Sequence, residues 1–285
     1  MKKKIKIYII LIFLCLIFFF FRFFHLNKSI YNLIGSFNHL NKHCIIIVFG
    51  TRPEAIKLIP IIRELKNNKK FFCLVINTGQ HSKMIKNILK SLNASDSIDF
   101  ELNVMRNNQT LSELTYRTII ELNKLYLLIN PKAVIVQGDT STSFSAALSA
   151  FYLKIPVFHV EAGLRTKNLY SPFPEEFNRM AIDDISTLLF APTEMAAINL
   201  IKENKNSKNI FITGNTVVDS LYLTINYTYP SKYIYKLLQK AKSLCKSKNN
   251  CKIILLTCHR RENYFSPIVN HNSSISFKPK CYSIY

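Results

Sequence analysis

The run Cys44–Phe49 carries no polar side chain, and the pattern it starts recurs along the chain. Phe72–Asn77, Ala133–Val136, Val157–Val160, Leu188–Ala191 and Asn209–Thr213 are strand-length and mostly apolar. A strand with one wet face alternates polar and apolar residues, whereas a continuously apolar strand is buried on both faces. Between these runs lie helical patterns over Glu54–Lys66, Ser82–Leu92, Leu111–Ile129, Ser143–Leu153 and Thr193–Glu203, with another from about Val217. In Glu54–Lys66 the apolar residues Ile56, Ile59, Ile62 and Leu65 recur at helical spacing. Strand and helix in alternation predict an α/β, doubly wound parallel sheet of Rossmann-like type. This domain is expected over residues 44–228. Residues 229–263 read as a Lys-rich linker followed by Lys252–Leu256, the first strand of a second domain, and 264–285 as an irregular tail.

Charge does not select the partner. The formal net charge is +21, which would ordinarily suggest nucleic acid or an anionic surface. Between Cys44 and Leu200, however, 17 Lys and Arg stand against 14 Asp and Glu, so the flanks carry the excess. Those flanks are also rich in Asn, Ile, Phe and Tyr, a composition that reads as A/T-rich codon usage and not as a nucleic-acid surface. No nucleic-acid partner is expected. The seven cysteines show no C-x-x-C pair and no regular spacing, so neither a disulfide framework nor a metal site is expected.

Residues 1–43 are a separate object. Lys2, Lys3, Lys4 and Lys6 precede the uncharged stretch Ile7–Phe21, which is followed by Arg22, Phe23 and Phe24. Counted over residues 5–24 with Lys6 and Arg22 snorkelling, the stretch reaches the roughly 20 residues that cross a bilayer core. No small-residue cleavage site follows, so an uncleaved anchor is expected, with the body in the secretory pathway or an organelle lumen. The alternative is an extension without function on a cytoplasmic protein.

In a doubly wound sheet, ligands bind beyond the carboxyl ends of the strands, and five turns there carry polar motifs. The first is Gly50-Thr51-Arg52-Pro53-Glu54-Ala55-Ile56-Lys57, a helix start with two cations. Its free amides suit an anion, and the plainer reading is an ordinary helix start. The second, Thr78-Gly79-Gln80-His81, offers Gln80 and His81 as ligands or as turn residues. In the third, Gln137-Gly138-Asp139-Thr140-Ser141-Thr142-Ser143, Asp139 is either a proton-transfer group or the cap of the next helix. The fourth runs His159-Val160-Glu161-Ala162-Gly163-Leu164-Arg165 and continues through Pro172-Phe173-Pro174-Glu175-Glu176-Phe177-Asn178-Arg179. Two carboxylates and two arginines beside one strand end are costly to explain as scaffold, although Glu175 could merely complement a helix dipole. In the fifth, His259-Arg260-Arg261-Glu262-Asn263, a His beside two Arg suits phosphate.

Together with Ala191–Glu194 and Ile210–Asp219, these segments in this order resemble the bacterial-type, non-hydrolysing UDP-N-acetylglucosamine 2-epimerases. The hydrolysing relatives are less similar, since Arg-Ala-Asp would be expected where Arg52-Pro53-Glu54 stands. The resemblance implies a GT-B type fold of two Rossmann-like domains with UDP-sugar in the cleft between them. It also implies interconversion of UDP-GlcNAc and UDP-ManNAc, by elimination of UDP across C1 and C2 and its re-addition after reprotonation on the opposite face.

By matching motif, the resemblance implies Asp139, Glu161 and Glu175 as carboxylates near C2 and the glycosidic oxygen, and His259 as a cation or proton donor at the phosphate. Arg52, Lys57, Arg165, Arg179 and Arg260 follow as substrate contacts, and Gln80 and His81 as contacts to a second, activating UDP-GlcNAc. No metal, nicotinamide or other cofactor is implied, and a second copy of the chain is the expected protein partner. The sequence ends 22 residues after Asn263, where the family's second domain would continue, so a C-terminally shortened member is expected. An inactive, epimerase-like binding protein and a GT-B type sugar-nucleotide transferase are the alternatives.

Overall fold

The structure is a computed structural model that describes residues 42–79, 82–106, 108–227 and 232–244. The chain divides into two units, residues 1–228 and 229–285. In the first, seven strands form one sheet in the order β3-β2-β1-β4-β5-β6-β7, every neighbouring pair parallel. The strands are β1 (His43–Phe49), β2 (Phe71–Asn77), β3 (Phe100–Glu101), β4 (Ala133–Gln137), β5 (Val157–Val160), β6 (Leu188–Ala191) and β7 (Ile210–Ile212). Helices α1 (Arg52–Asn67), α2 (Ser82–Ser91), α3 (Leu111–Ile129), α4 (Ser141–Tyr152), α5 (Glu175–Ile185), α6 (Glu194–Lys202) and α7 (Val217–Tyr227) connect them. Of the second unit the described part is a helix, α8 (Lys232–Leu244).

The apolar runs explain the layering. Successive side chains of a strand point to opposite faces, and both faces of β1 are covered. Cys44, Ile46 and Val48 join one apolar layer with Leu122, Leu125 and Tyr126 of α3 and Ala146, Ala147 and Ala150 of α4. Ile45, Ile47 and Phe49 join the other with Ala55, Leu58, Ile59 and Ile62 of α1 and Ile85 and Leu89 of α2. Burying each leucine, isoleucine, valine or phenylalanine among them contributes about 1.5–3 kcal/mol. The two-residue β3 has too few side chains to make a sequence pattern, and it extends the sheet past β2.

Helix α1 contains Pro60, which has no N–H to give the carbonyl of Ile56. The Ser220 hydroxyl of α7 donates to that carbonyl instead, so the missing intrahelical bond becomes a tie between two helices.

The N-terminal anchor expected over residues 5–24 and the strand expected over Lys252–Leu256 lie outside the described residues. Among the described residues, no helix is long and apolar enough to cross a membrane.

Candidate functional site

The carboxyl ends of β1, β4 and β5 meet at one polar edge, and the turns after them are unlike ordinary caps. Gly50 follows β1 at a point where a Cβ would lie 2.4 Å from Thr78 Oγ1 and 2.5 Å from Thr142 Oγ1, so the close approach of the neighbouring turns requires glycine. Glu54, 1% exposed, turns back into this seam. Its carboxylate accepts from the Gly50 and Thr51 amides at 3.0 and 2.6 Å, and from the Thr140 and Ser143 hydroxyls at 2.7 Å each. A buried carboxylate is tolerable only with such donors. Here it joins the start of α1 to the start of α4.

Thr140, not Asp139, caps α4, its Oγ1 accepting from the Ser143 amide at 3.0 Å. The cap reading of Asp139 is therefore set aside. The Asp139 side chain pairs with the Arg179 guanidinium, and its carbonyl accepts from Asn178 Nδ2 at 2.9 Å. Arg179 also donates to the carbonyl of Glu161. The opening turns of α5 are thus fastened to the ends of both β4 and β5.

Glu161 is the centre of the edge. Its backbone has φ 69°, a left-handed conformation rare outside glycine and characteristic of functional sites. Both its own amide and that of Ala162 donate to the Phe190 carbonyl of β6 at 3.0 Å. The side chain, 10% exposed, accepts from Lys57 Nζ at 2.8 and 2.6 Å. Gln137 Nε2 at the end of β4 donates to it as well, and Asn215 Nδ2 approaches from the β7–α7 turn at 3.0 Å.

The same motif supplies a second cluster with a different character. His159, fully buried on β5, contacts the Gly138 carbonyl through Nε2 at 2.7 Å and Asp183 of α5 through Nδ1 at 2.6 Å. Asp183 also accepts from the Gly163 amide at 3.1 Å and from Arg165 at 2.7 Å. Burial alone would raise the Asp183 carboxyl, but the His159 ring and the Arg165 guanidinium beside it hold it below the ordinary carboxylate range. Arg165 in turn donates to Glu203 at 2.7 and 2.6 Å and to the Leu164 carbonyl at 2.8 Å. Burial would lower its guanidinium, yet Glu203 and Asp183 keep it above its ordinary value.

The structure thus brings Asp139, Glu161, Lys57 and Arg179 together and gives Arg165 to another network. Glu175 opens α5 one turn before Arg179, on the same helix face by i, i+4 spacing, and its Oε2 is buried without a hydrogen-bond partner among the described residues. Arg52 is exposed at the start of α1, lining an open hollow of about 280 Å³ with Pro53, Ile56, Lys57, Ile88 and Val217. Gln80, His81, His259 and Arg260 lie outside the described residues. Among the described residues, no group of three or more His, Cys, Asp or Glu could hold a metal ion.

Residues 63–275 match the protein-family model described as UDP-N-acetylglucosamine 2-epimerase. The chain belongs to this epimerase family, in its bacterial, non-hydrolysing branch. It is 45% identical to the UDP-N-acetylglucosamine 2-epimerase of Bacillus subtilis over 231 residues, 81% of this chain and 57% of that protein. The structure of the Neisseria meningitidis epimerase bound to UDP-GlcNAc matches with a TM-score of 0.67 at 42% identity, covering 78% of this chain and 58% of that one. That of the Methanocaldococcus jannaschii epimerase in complex with UDP-GlcNAc and UDP matches with a TM-score of 0.61 at 37% identity, covering 70% and 54%. The chain therefore spans little more than half the length of the epimerases it matches.

Sequence reading missed Glu54, Gln137, Asp183 and Asn215 as parts of the site's framework. Glu54 was within reach, since Thr51 followed three residues later by Glu is the spacing of a capping box. A glutamine closing the otherwise apolar β4 is a weaker signal. Nothing local marks Asn215, whose partner lies 54 residues away.

Proposed function

We propose that residues 44–228 form the sugar-side half of a UDP-N-acetylglucosamine 2-epimerase that interconverts UDP-GlcNAc and UDP-ManNAc. The observation that carries this reading is Glu161: a buried carboxylate in a left-handed backbone conformation, gripped by Lys57 and set beside the Asp139–Arg179 pair at the carboxyl edge of the sheet. Removal of the C2 proton, with formation of the C1=C2 bond and rupture of C1–O, releases UDP. Re-protonation at C2 from the opposite face and re-addition of UDP at C1 give the epimer. Such a reaction needs acid/base groups on both sides of C2 and cations for the diphosphate. Asp139, Glu161 and Glu175 are our candidates for the first task. Arg52, at the amino end of α1 where free amides favour anions, together with His259 and Arg260, is the candidate set for the second.

Residues 229–263 then serve as linker and opening strand of the second domain, and residues 5–24 as a membrane anchor, a reading that rests on their apolar length. Arg165 drops out as a substrate contact, because its donors are already engaged by Glu203, Asp183 and Leu164.

Incubation of the full chain with UDP-GlcNAc in heavy water tests the reaction. Deuterium at C2 together with UDP-ManNAc is the expected result, and a folded protein that yields neither overturns the proposal. Alkaline carbonate extraction of expressing cells tests the anchor: retention of the full chain in the membrane fraction, lost when residues 1–26 are removed, is expected.

A further inference from the structure

The turn between β7 and α7 contains Asn215, and both ends of its side-chain amide are in use. Oδ1 accepts from the Val217 amide at 3.0 Å, an Asx turn that leads the chain into α7. Nδ2 donates to Glu161 Oε1 at 3.0 Å. Only one orientation of the amide satisfies both, since the backbone N–H needs an acceptor and the carboxylate a donor.

The Glu161 carboxylate meets donors from three elements. Lys57 reaches it from α1, Gln137 from β4 and Asn215 from the β7–α7 turn. Lys57 and Gln137 sit on the strand-and-helix framework. Asn215 is the donor that lies on a loop, and the loop is fixed by its own Asx turn and by the tie from Ser220 to Ile56 on the helix that carries Lys57.

We infer that Asn215 is a positioning residue for Glu161, fixing the carboxylate's rotation against Lys57 and Gln137 so that it presents one geometry to the sugar. The inference deepens the epimerase reading and rests on it where Glu161 is taken as the acid/base group. Lys57 meets both carboxylate oxygens and Gln137 only Oε2, so without Asn215 the Oε1 side is held by the flexible lysine alone. The third donor removes the remaining freedom, and misplacement of a reacting group by a fraction of an ångström is enough to slow a proton transfer.

The test exploits the two ends of the amide. In Asn215→Asp the side chain still accepts from Val217, so the turn persists, but a carboxylate replaces the donor facing Glu161. In Asn215→Ser the turn persists more weakly and the donor is withdrawn without added charge. A hydrogen bond to a charged group of the usual strength, ~1.5–3 kcal/mol, converts to a loss of about 10- to 100-fold in rate. In the full chain kcat for UDP-ManNAc formation should fall about 100-fold in Asn215→Asp and about tenfold in Asn215→Ser, with KM within about twofold. A folded Asn215→Asp protein with wild-type kcat overturns the inference, as does a loss confined to KM.

A second measurement does not depend on turnover. Hydrogen exchange of the Asn215 side-chain amide, followed by ¹⁵N NMR, should be slowed in the wild-type chain and accelerated in Glu161→Ala, and equal exchange in the two overturns the contact. A wild-type chain that shows the exchange difference but no C2 deuteration overturns the epimerase reading and upholds Asn215 as the residue that holds Glu161.

Discussion

Two clusters of buried charge come from the single stretch His159–Arg165, and they are built to opposite ends. Around Asp183 the groups neutralise one another: His159, Arg165 and the Gly163 amide share one carboxylate, and Glu203 and the Leu164 carbonyl take further donors of Arg165. The Arg165 side chain is 4% exposed and that of Asp183 is fully buried. Around Glu161, by contrast, Lys57 keeps 23% of its side chain exposed and Asp139 keeps 30%. In the first cluster exposure is confined to Glu203, 34% exposed, while Asp183 and Arg165 stay buried and hold β5 to α5 and to the end of α6; in the second it lies at Lys57 and Asp139, on either side of a carboxylate that is itself 10% exposed. Neighbouring residues of one motif thus enter two separate networks, His159, Gly163 and Arg165 with Asp183, and Glu161 with Lys57.

The largest expected effect separates the two clusters by function. Glu161→Gln should slow C2 deuteration by roughly 10²–10⁴-fold, the usual contribution of a general acid or base, with only a small change in melting temperature. A comparable loss of stability would give Glu161 a structural role.

Asp183→Asn should do the reverse, costing about 3–5 kcal/mol of unfolding free energy by leaving Arg165 and His159 without their common carboxylate. Denaturant titration measures it, and pH supplies a control. Because the folded Asp183 titrates below its unfolded value, its contribution is complete above the unfolded value of about 3.9 and is lost as pH falls through the lower folded value. The stability difference between wild type and Asp183→Asn should therefore be full at neutral pH and shrink in acid. A gap that stays constant down to acid unfolding would show that the charge is not what stabilises the cluster.

Gly50→Ala, which pushes a methyl group against Thr78 and Thr142 at the seam of the Glu161 edge, should cost about 1–3 kcal/mol by thermal melting. An unchanged melting point would mean that this edge yields where the Asp183 cluster does not. The smallest effect should come from Tyr126→Phe in the core beside neither cluster. The Tyr126 hydroxyl is buried without a hydrogen-bond partner among the described residues, and burial raises its ionisation well above that of an ordinary phenol. Removing it should leave stability unchanged or raise it by about 1 kcal/mol.

The fold was legible because its signal is redundant: each buried strand repeats the requirement stated by Cys44–Phe49, and each helix between them shows a period. The grouping of side chains at the candidate site was legible in part. Asp139, Glu161, Lys57 and Arg179 stand in motifs at strand ends, where a doubly wound sheet keeps its chemistry, and the structure gathers them. The pairing of Arg165 was not legible, because sequence cannot say toward which partner an arginine turns; Asp183 on α5 and Glu203 just after α6 receive it. Asn215 was overlooked for the complementary reason, since its polar partner is remote in the chain and its local role, an Asx turn, looks like ordinary loop chemistry.

The tie between Ser220 and Ile56 has a consequence for how the domain is made. A carbonyl in the first helix waits for a hydroxyl 164 residues downstream, so α1 emerges from the ribosome with an open hydrogen-bond position that only the last helix of the domain fills. Docking of α7 is therefore registered at the helix that carries Lys57, and the carboxyl edge of the sheet gains this brace only when that helix has arrived.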